Sequence, residues 1–391
     1  MTTLKATPVN WRSRLRTSGT PGVLHITEPT DGGVARYVTD VAAGQLQAGW
    51  RVVVACPAPG RLSGDLSAAG VEVLPWRAAR QPGTTLGAEV RDLAALVESV
   101  DPALVHLHSS KAGLAGRLAI RGRRVTVFQP HAWSVNAVPS MLHGTAAAWE
   151  RLAARWTDLV LCGSQDECNV GHSLGVHGRY AVVLNGVDID RFYPANTVDR
   201  EEARLRLGID NGPLAVCVGR VCRQKGQDLL LHAWRRIMSM VSDATLVLVG
   251  GGSGAHITAP VGGVVVAGPV EDPSDWYAAA DVVVCPSRWE GMALVPLEAM
   301  ARARSVVASD VGGTREALPA GAGALVASGD AAALAAGIVD RLADQPRADR
   351  EGQVGRAHVV RHHPLPRTLA GVDAAYRAAL ITRRTVQGAV A

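Results

Sequence analysis

The stretch Asp281-Val-Val-Val-Cys285-Pro-Ser-Arg-Trp-Glu290-Gly-Met-Ala-Leu-Val-Pro-Leu-Glu298-Ala-Met-Ala301 reads as a strand, a short loop and a helix in direct succession. The run Asp281–Cys285 is short, β-branched and apolar until Pro286 stops it, which is the pattern of a strand covered on both faces. The Ala/Leu-rich run that follows suits a helix over Ala293–Ala303. A strand feeding a helix this directly is half of a parallel βαβ unit. The loop between them then lies at the carboxyl end of the strand, where open α/β sheets bind ligands.

The same alternation extends outward in both directions. Strands are expected at Gly22–Thr27, Arg51–Cys56, Val71–Leu74, Ala103–Leu107, Arg124–Gln129, Asp158–Cys162 and Tyr180–Leu184. A second set is expected at Leu214–Val218, Thr245–Val249, Val264–Ala267, Asp281–Cys285, Ser305–Ala308 and Ala324–Val326. Helical runs fall at Val34–Ala48, Gly226–Met240 and Asp330–Ala343, and Asp272 with Pro273 can open another. The chain has 391 residues, a comfortable length for two domains. The expected architecture is α/β, with two doubly wound, Rossmann-like domains facing one another across a cleft. They span residues 20–190 and 191–366, with the polar stretch Asn185–Asp210 as the seam. A final segment, 367–391, holds a helix over Leu369–Ile381 that can cross back onto the first domain.

Composition narrows the function. Hydrophobic residues at 48% against 19% charged exclude disorder. The net charge of +5 is a mild surplus that suits an anionic small substrate and does not argue for nucleic acid. The nine Trp are scattered without interleaved basic residues, so no nucleic-acid partner is expected. No run reaches the roughly 18 apolar residues of a membrane span, and the first twenty residues lack an apolar signal core. Lys5, Arg12, Arg14 and Arg16 in that tail allow a peripheral contact with anionic membrane. The six cysteines form no CxxC pair, and the four that lie in or end apolar runs read as small core residues of a reducing, cytoplasmic protein. The dinucleotide fingerprint is absent, and Gly250-Gly-Gly-Ser-Gly254 does not fit it.

Candidate chemistry concentrates in loops that follow strands. Glu290 and Glu298 are eight apart; across a mostly helical interval they would stand on the order of 12 Å apart. They cannot then share a proton, but they can hold two ends of one long ligand. The loop Gly219-Arg220…Lys225-Gly226 offers a guanidinium fork and a compact ammonium for a diphosphate, with Arg223 nearby. Gly32-Gly33, between the first strand and helix, permits close backbone approach to a phosphate. His131 follows a strand and would face the cleft as a hydrogen-bond donor to a sugar hydroxyl or phosphate, or serve as a structural histidine. His106 and His108 are read as strand-end polar residues, only one of which faces a given side. Asp188-Ile-Asp190 is read as turn and capping chemistry, with no metal assigned.

Together these segments resemble glycosyltransferase family 4 and its two-Rossmann-domain arrangement, GT-B. The Gly32-Gly33 turn, the Asn185-Gly-Val-Asp188 seam, the Arg220…Lys225 loop and the Glu290-x7-Glu298 spacing carry the resemblance. It implies retaining transfer of a hexosyl or N-acetylhexosaminyl group from a nucleotide-sugar, UDP-linked, to a hydroxyl of a saccharide, lipid-linked or small-molecule acceptor. It further implies that Arg220 and Lys225 bind the diphosphate, Glu298 the ribose and Glu290 the sugar. Backbone N–H groups of Gly291, Met292 and Ala293 would face sugar and phosphates, and His131 would stand beside the sugar. No cofactor or metal is expected. Met292-Ala293 departs from the Phe-Gly many members carry. A UDP-sugar epimerase of the same fold and a non-catalytic nucleotide-sugar binder are the alternatives.

Overall fold

The computed structural model describes residues 22–80, 83–252 and 262–390. The basic tail and the end of the glycine run at Gly254 lie outside the described residues. The first half builds one parallel sheet from β1 (Gly22–Thr27), β2 (Arg51–Cys56), β3 (Glu72–Pro75), β4 (Leu104–His108), β5 (Val125–Gln129), β6 (Leu159–Cys162) and β7 (Tyr180–Val182). Their order is β3-β2-β1-β4-β5-β6-β7. The second half builds a parallel sheet from β8 (Leu214–Val218), β9 (Thr245–Val249), β10 (Val264–Gly268), β11 (Val282–Cys285), β12 (Ser305–Ser309) and β13 (Gly323–Val326). Its order is β10-β9-β8-β11-β12-β13. In each sheet the order reverses beside the first strand, at β1/β4 and at β8/β11. Those reversals open the crevices that ligands enter.

Central strands are buried on both faces because helices cover both; every residue of β1 and of β12 is buried. The edges differ. In β10, Val265 and Val266 are exposed, and β3 and β7 are only half covered. An apolar run therefore does not guarantee two covered faces: the edge strand has a neighbour on one side only, and helices wrap the sheet centre first.

The polar stretch after Asn185 is more than a seam. It contains the helix Thr197–Leu207, whose start is capped reciprocally by Asn196 and Asp199. Arg204 in that helix is buried, donating to Asp281 Oδ2 at 2.9 Å and to the Ala279 carbonyl. Its dense Arg and Glu content hides the docking face from a hydropathy reading.

The chain finally recrosses to the first half. The Val187 N–H donates to the His363 carbonyl and the Leu365 N–H to the Val187 carbonyl, pinning the start of the helix Leu365–Val390. Val372, Ala375, Tyr376 and Ala379 of that helix pack in the first-half core, and Trp50 Nε1 donates to Asp373 at 2.9 Å. Burying a side chain of this kind stabilises by ~1.5–3 kcal/mol. Among the described residues no helix is long and apolar enough to cross a membrane.

Candidate active site

The carboxyl ends of the strands in both sheets open on one cleft of about 440 Å³. All ten residues singled out from sequence line it: Gly32, Gly33, His131, Arg220, Lys225, Glu290, Gly291, Met292, Ala293 and Glu298. Arg223 does not. It lies over the Trp289 ring, 5.8 Å from the centroid, because side chains two apart in the 3₁₀ turn Arg223–Lys225 project roughly 120° apart.

On the second-half wall, Lys225 Nζ sits 2.6 Å from Glu290 Oε1. Burial alone would lower the ammonium's pKa, but the charge and hydrogen bond of Glu290 outweigh it and hold the pKa above the ordinary lysine value. Two glycines make this contact possible. A Cβ on Gly226, at φ +69°, would stand 2.0 Å from the Pro286 carbonyl oxygen; one on Gly312, at φ +50°, would stand 1.9 Å from that of Glu290. Glu290 occupies the loop before the helix, which spans only Leu294–Ala301. The interval between the two glutamates is therefore half loop, not mostly helix, because Gly291 and the extended Ala293 delay helix entry. Glu298 is buried, with Tyr277 Oη donating to its Oε2 at 2.7 Å. Desolvation raises its pKa, the Tyr277 hydrogen bond opposing.

Arg220 reaches across to the first half, its Nε 3.7 Å from Asp31 Oδ1 beside the Gly32 turn. Gly32 has φ +73°, a conformation that only glycine adopts cheaply. On the same wall His131 and Ala132 carry φ of +53° and +89°. Non-glycine residues held so store about 1–3 kcal/mol each, and such strain gathers at functional sites. Glu167 holds it in place. Its Oε1 accepts the Ala132 N–H at 2.6 Å, its Oε2 the Gly163 N–H at 2.7 Å, and its carbonyl the Trp133 indole N–H at 2.7 Å. Burial raises the Glu167 pKa against those backbone hydrogen bonds.

Several contacts tie the halves together around the loop that follows β11. Asn185 Nδ2 donates to the Met292 carbonyl at 2.7 Å, and Ser164 Oγ to that of Gly291 at 3.2 Å. Both oxygens of Glu316 accept backbone N–H groups of Gln165 and Asp166 at 2.8 Å, where the helix Gln165–Ser173 begins. Glu167, Ser164 and Glu316 escaped the sequence reading. A capping Ser before Asp-Glu was visible, but its use across a domain boundary was not. Asp188 Oδ1 accepts from the N–H groups of Asp190 and Arg191, so that pair serves its turn.

The histidine reading needs correction. Residues two apart on a strand share a face, so His106 and His108 point the same way, with ring centroids 3.9 Å apart. Register sets His25 beside His106, Thr27 beside His108 and His108 beside Gln129. The result is a fully buried polar layer beneath the cleft, under the helices Gly32–Gln47 and Leu365–Val390. It is not a set of strand-end polar groups.

Comparison with known proteins agrees with this geometry. A profile for Glycosyltransferase Family 4 matches residues 31–191, and one for Glycosyl transferases group 1 matches residues 212–344. An alpha-maltose-1-phosphate synthase of Mycolicibacterium smegmatis is 31% identical over 293 residues, 66% of this chain and 74% of that protein. The lipopolysaccharide core biosynthesis mannosyltransferase LpsB of Rhizobium meliloti is 32% identical over 211 residues, 50% of this chain. Three of the curated relatives are matched over 60%, 49% and 62% of their own length. The crystal structure of Anabaena HepE, solved with UDP-glucose, superposes with a TM-score of 0.79 at 23% identity, covering 91% of this chain and 99% of that one. That likeness is one of fold and establishes the GT-B arrangement. With both halves matched and the cleft assembled between them, the chain belongs to glycosyltransferase family 4.

Proposed function

We propose that this protein is a retaining glycosyltransferase that moves a hexosyl or N-acetylhexosaminyl group from a UDP-sugar to a hydroxyl of a saccharide, lipid-linked or small-molecule acceptor. One observation carries the reading: Lys225, Arg220, Glu290 and Glu298 converge on a single cleft between two sheets. Arg220 and Lys225 take the diphosphate. Glu298, a buried carboxylate with Tyr277 as its side-chain donor among the described residues, accepts hydrogen bonds from the ribose hydroxyls. Glu290, already engaged by Lys225, orients the sugar, together with His131 and the backbone N–H groups of Gly291, Met292 and Ala293.

In the transfer, the bond between the anomeric carbon and the phosphate oxygen breaks, and its electron pair leaves with the nucleotide. The acceptor oxygen bonds to the same carbon from the same face, and its proton passes to the departing phosphate. The chain supplies placement and charge. The Lys225 ammonium, its charge secured by Glu290, balances the negative charge that grows on the leaving diphosphate. A preorganised donor of this kind is worth ~10²–10³ in rate.

The test is incubation with UDP-glucose, UDP-GlcNAc, UDP-galactose and GDP-mannose, followed by assay of free nucleotide and of the sugar. Nucleotide release, faster with acceptor, supports transfer. Conversion of a sugar-nucleotide to its epimer, or binding without turnover, would overturn it in favour of one of the two alternatives.

A further inference from the structure

The buried layer beneath the cleft contains a continuous hydrogen-bonded chain that ends at the site. Gln45 Oε1 lies 2.7 Å from His25 Nε2, His25 Nδ1 lies 2.9 Å from His108 Nε2, and His108 Nδ1 lies 3.1 Å from His131 Nε2. His25 and His108 are fully buried, and Gln45 nearly so. Burial lowers His25 to about 4 and His131 to about 3, and holds His106 and His108 well below the ordinary histidine value. Each ring is then neutral near pH 7, with one N–H and one lone pair.

A chain of neutral imidazoles has a direction, and its far end sets it. With the Gln45 amide turned so that its oxygen, which can only accept, faces His25, His25 carries its proton on Nε2 and presents a bare Nδ1. His108 must then donate from Nε2 and accept on Nδ1, and His131 must donate from Nε2. The ring nitrogen left for a ligand is the His131 Nδ1 lone pair. An amide also cannot take up a proton, so the chain orients His131 without making it a stronger base, unlike a carboxylate-backed histidine.

We propose that Gln45, His25 and His108 are positioning residues that fix the tautomer of His131, so that it accepts a hydrogen bond from a substrate hydroxyl in the cleft. This rests on the reading of the cleft as a sugar-nucleotide site, and it reverses the donor role expected for His131. Two further features fit. Tyr37 stands edge-on to His131, with centroids 5.1 Å apart, and Glu167 holds the backbone next to the ring through the Ala132 N–H. His25, His106 and His108 also place ring nitrogens within 4.8 Å of one another, near enough to raise a metal site. The 2.9 Å between His25 and His108 argues for the hydrogen bond, since two nitrogens on a tetrahedral zinc at about 2.0–2.1 Å stand roughly 3.3 Å apart.

The experiment is long-range ¹H–¹⁵N spectroscopy of the full chain with labelled histidine, without substrate, beside elemental analysis for bound metal. The wild-type protein should show His131 as the Nε2–H tautomer and no stoichiometric metal. Gln45→Leu should spread His131 over both tautomers and lower kcat for transfer about tenfold, the size of one hydrogen bond, with UDP affinity unchanged. Gln45→Glu, which keeps an acceptor, should restore the single tautomer. An Nδ1–H His131 in the wild type, one metal per chain, or a tautomer unmoved by Gln45→Leu would overturn the proposal. The wild-type spectrum decides even if the leucine variant fails to fold. The predicted tautomer in a protein without transferase activity would instead sink the functional reading alone.

Discussion

The cleft wall that follows β8 and β11 sets a close lysine–glutamate ion pair at the cleft, whereas the wall that follows β1, β4 and β5 sets neutral histidines there, with charged groups such as Glu28, Asp31 and Arg80 around them. On the first, Lys225 and Glu290 form an ion pair at 2.6 Å and Arg220 projects across the gap. On the second, four histidines lie at or below the surface, all held neutral by burial. The difference suits the proposed reaction. In the proposed transfer the leaving diphosphate gains negative charge, which fixed cations balance, and the anomeric carbon gains the matching positive charge, while the sugar hydroxyls take directed lone pairs and N–H groups.

The comparison breaks most readily on the charged side. Lys225→Ala should lower kcat by ~10²–10³, since it removes a cation whose effect is greatest in the transition state. Steady-state assay with donor in excess checks this, and a near-normal kcat would transfer the role to another residue. Glu298→Ala should act next, raising the donor KM at least ~tenfold, because the ribose hydroxyls lose a charged acceptor.

The same glutamate makes a stability prediction with a definite sign. Its folded-state pKa is raised above the usual 4.5, so its favourable contribution is complete below 4.5 and is lost as pH rises through the folded value. At neutral pH the buried carboxylate is therefore destabilising. Glu298→Gln should melt later than wild type at pH 7, and the gap should close as pH approaches 4.5; thermal scans across that window test it. Gly226→Ala should destabilise by about 1–3 kcal/mol, since the new methyl meets the Pro286 carbonyl at a left-handed φ; denaturant titration measures it. Glu316→Gln should be mildest, raising the donor KM about threefold by weakening the charged cap between the halves, a contact worth under ~1 kcal/mol. An unchanged KM would mean that closure does not depend on that cap.

Much of this was legible in sequence for physical reasons. Central parallel strands need apolar residues on both faces, so β1, β8 and β9 stand out with the very ends observed. Glu290, Lys225 and Arg220 were legible because each lies within a few residues of a strand end, a place the fold devotes to ligands. What escaped depends on pairing between strands or between halves. The His25–His108 hydrogen bond joins residues 83 apart, and its layer becomes visible only when register sets β1 beside β4. Glu316 caps a helix about 150 residues earlier in the chain. The helix Thr197–Leu207 was hidden by an arginine that is buried because Asp281 receives it.

The central claim is that cations of the second half grip a diphosphate between the sheets. Calorimetric titration tests it most directly, with UDP and GDP each set against the corresponding monophosphate, in the wild type and in Lys225→Ala. The account predicts that one diphosphate binds the wild type at least ~tenfold more tightly than its monophosphate, about 1.4 kcal/mol, and that the variant loses most of this difference. Equal affinity of the wild type for diphosphate and monophosphate would contradict it.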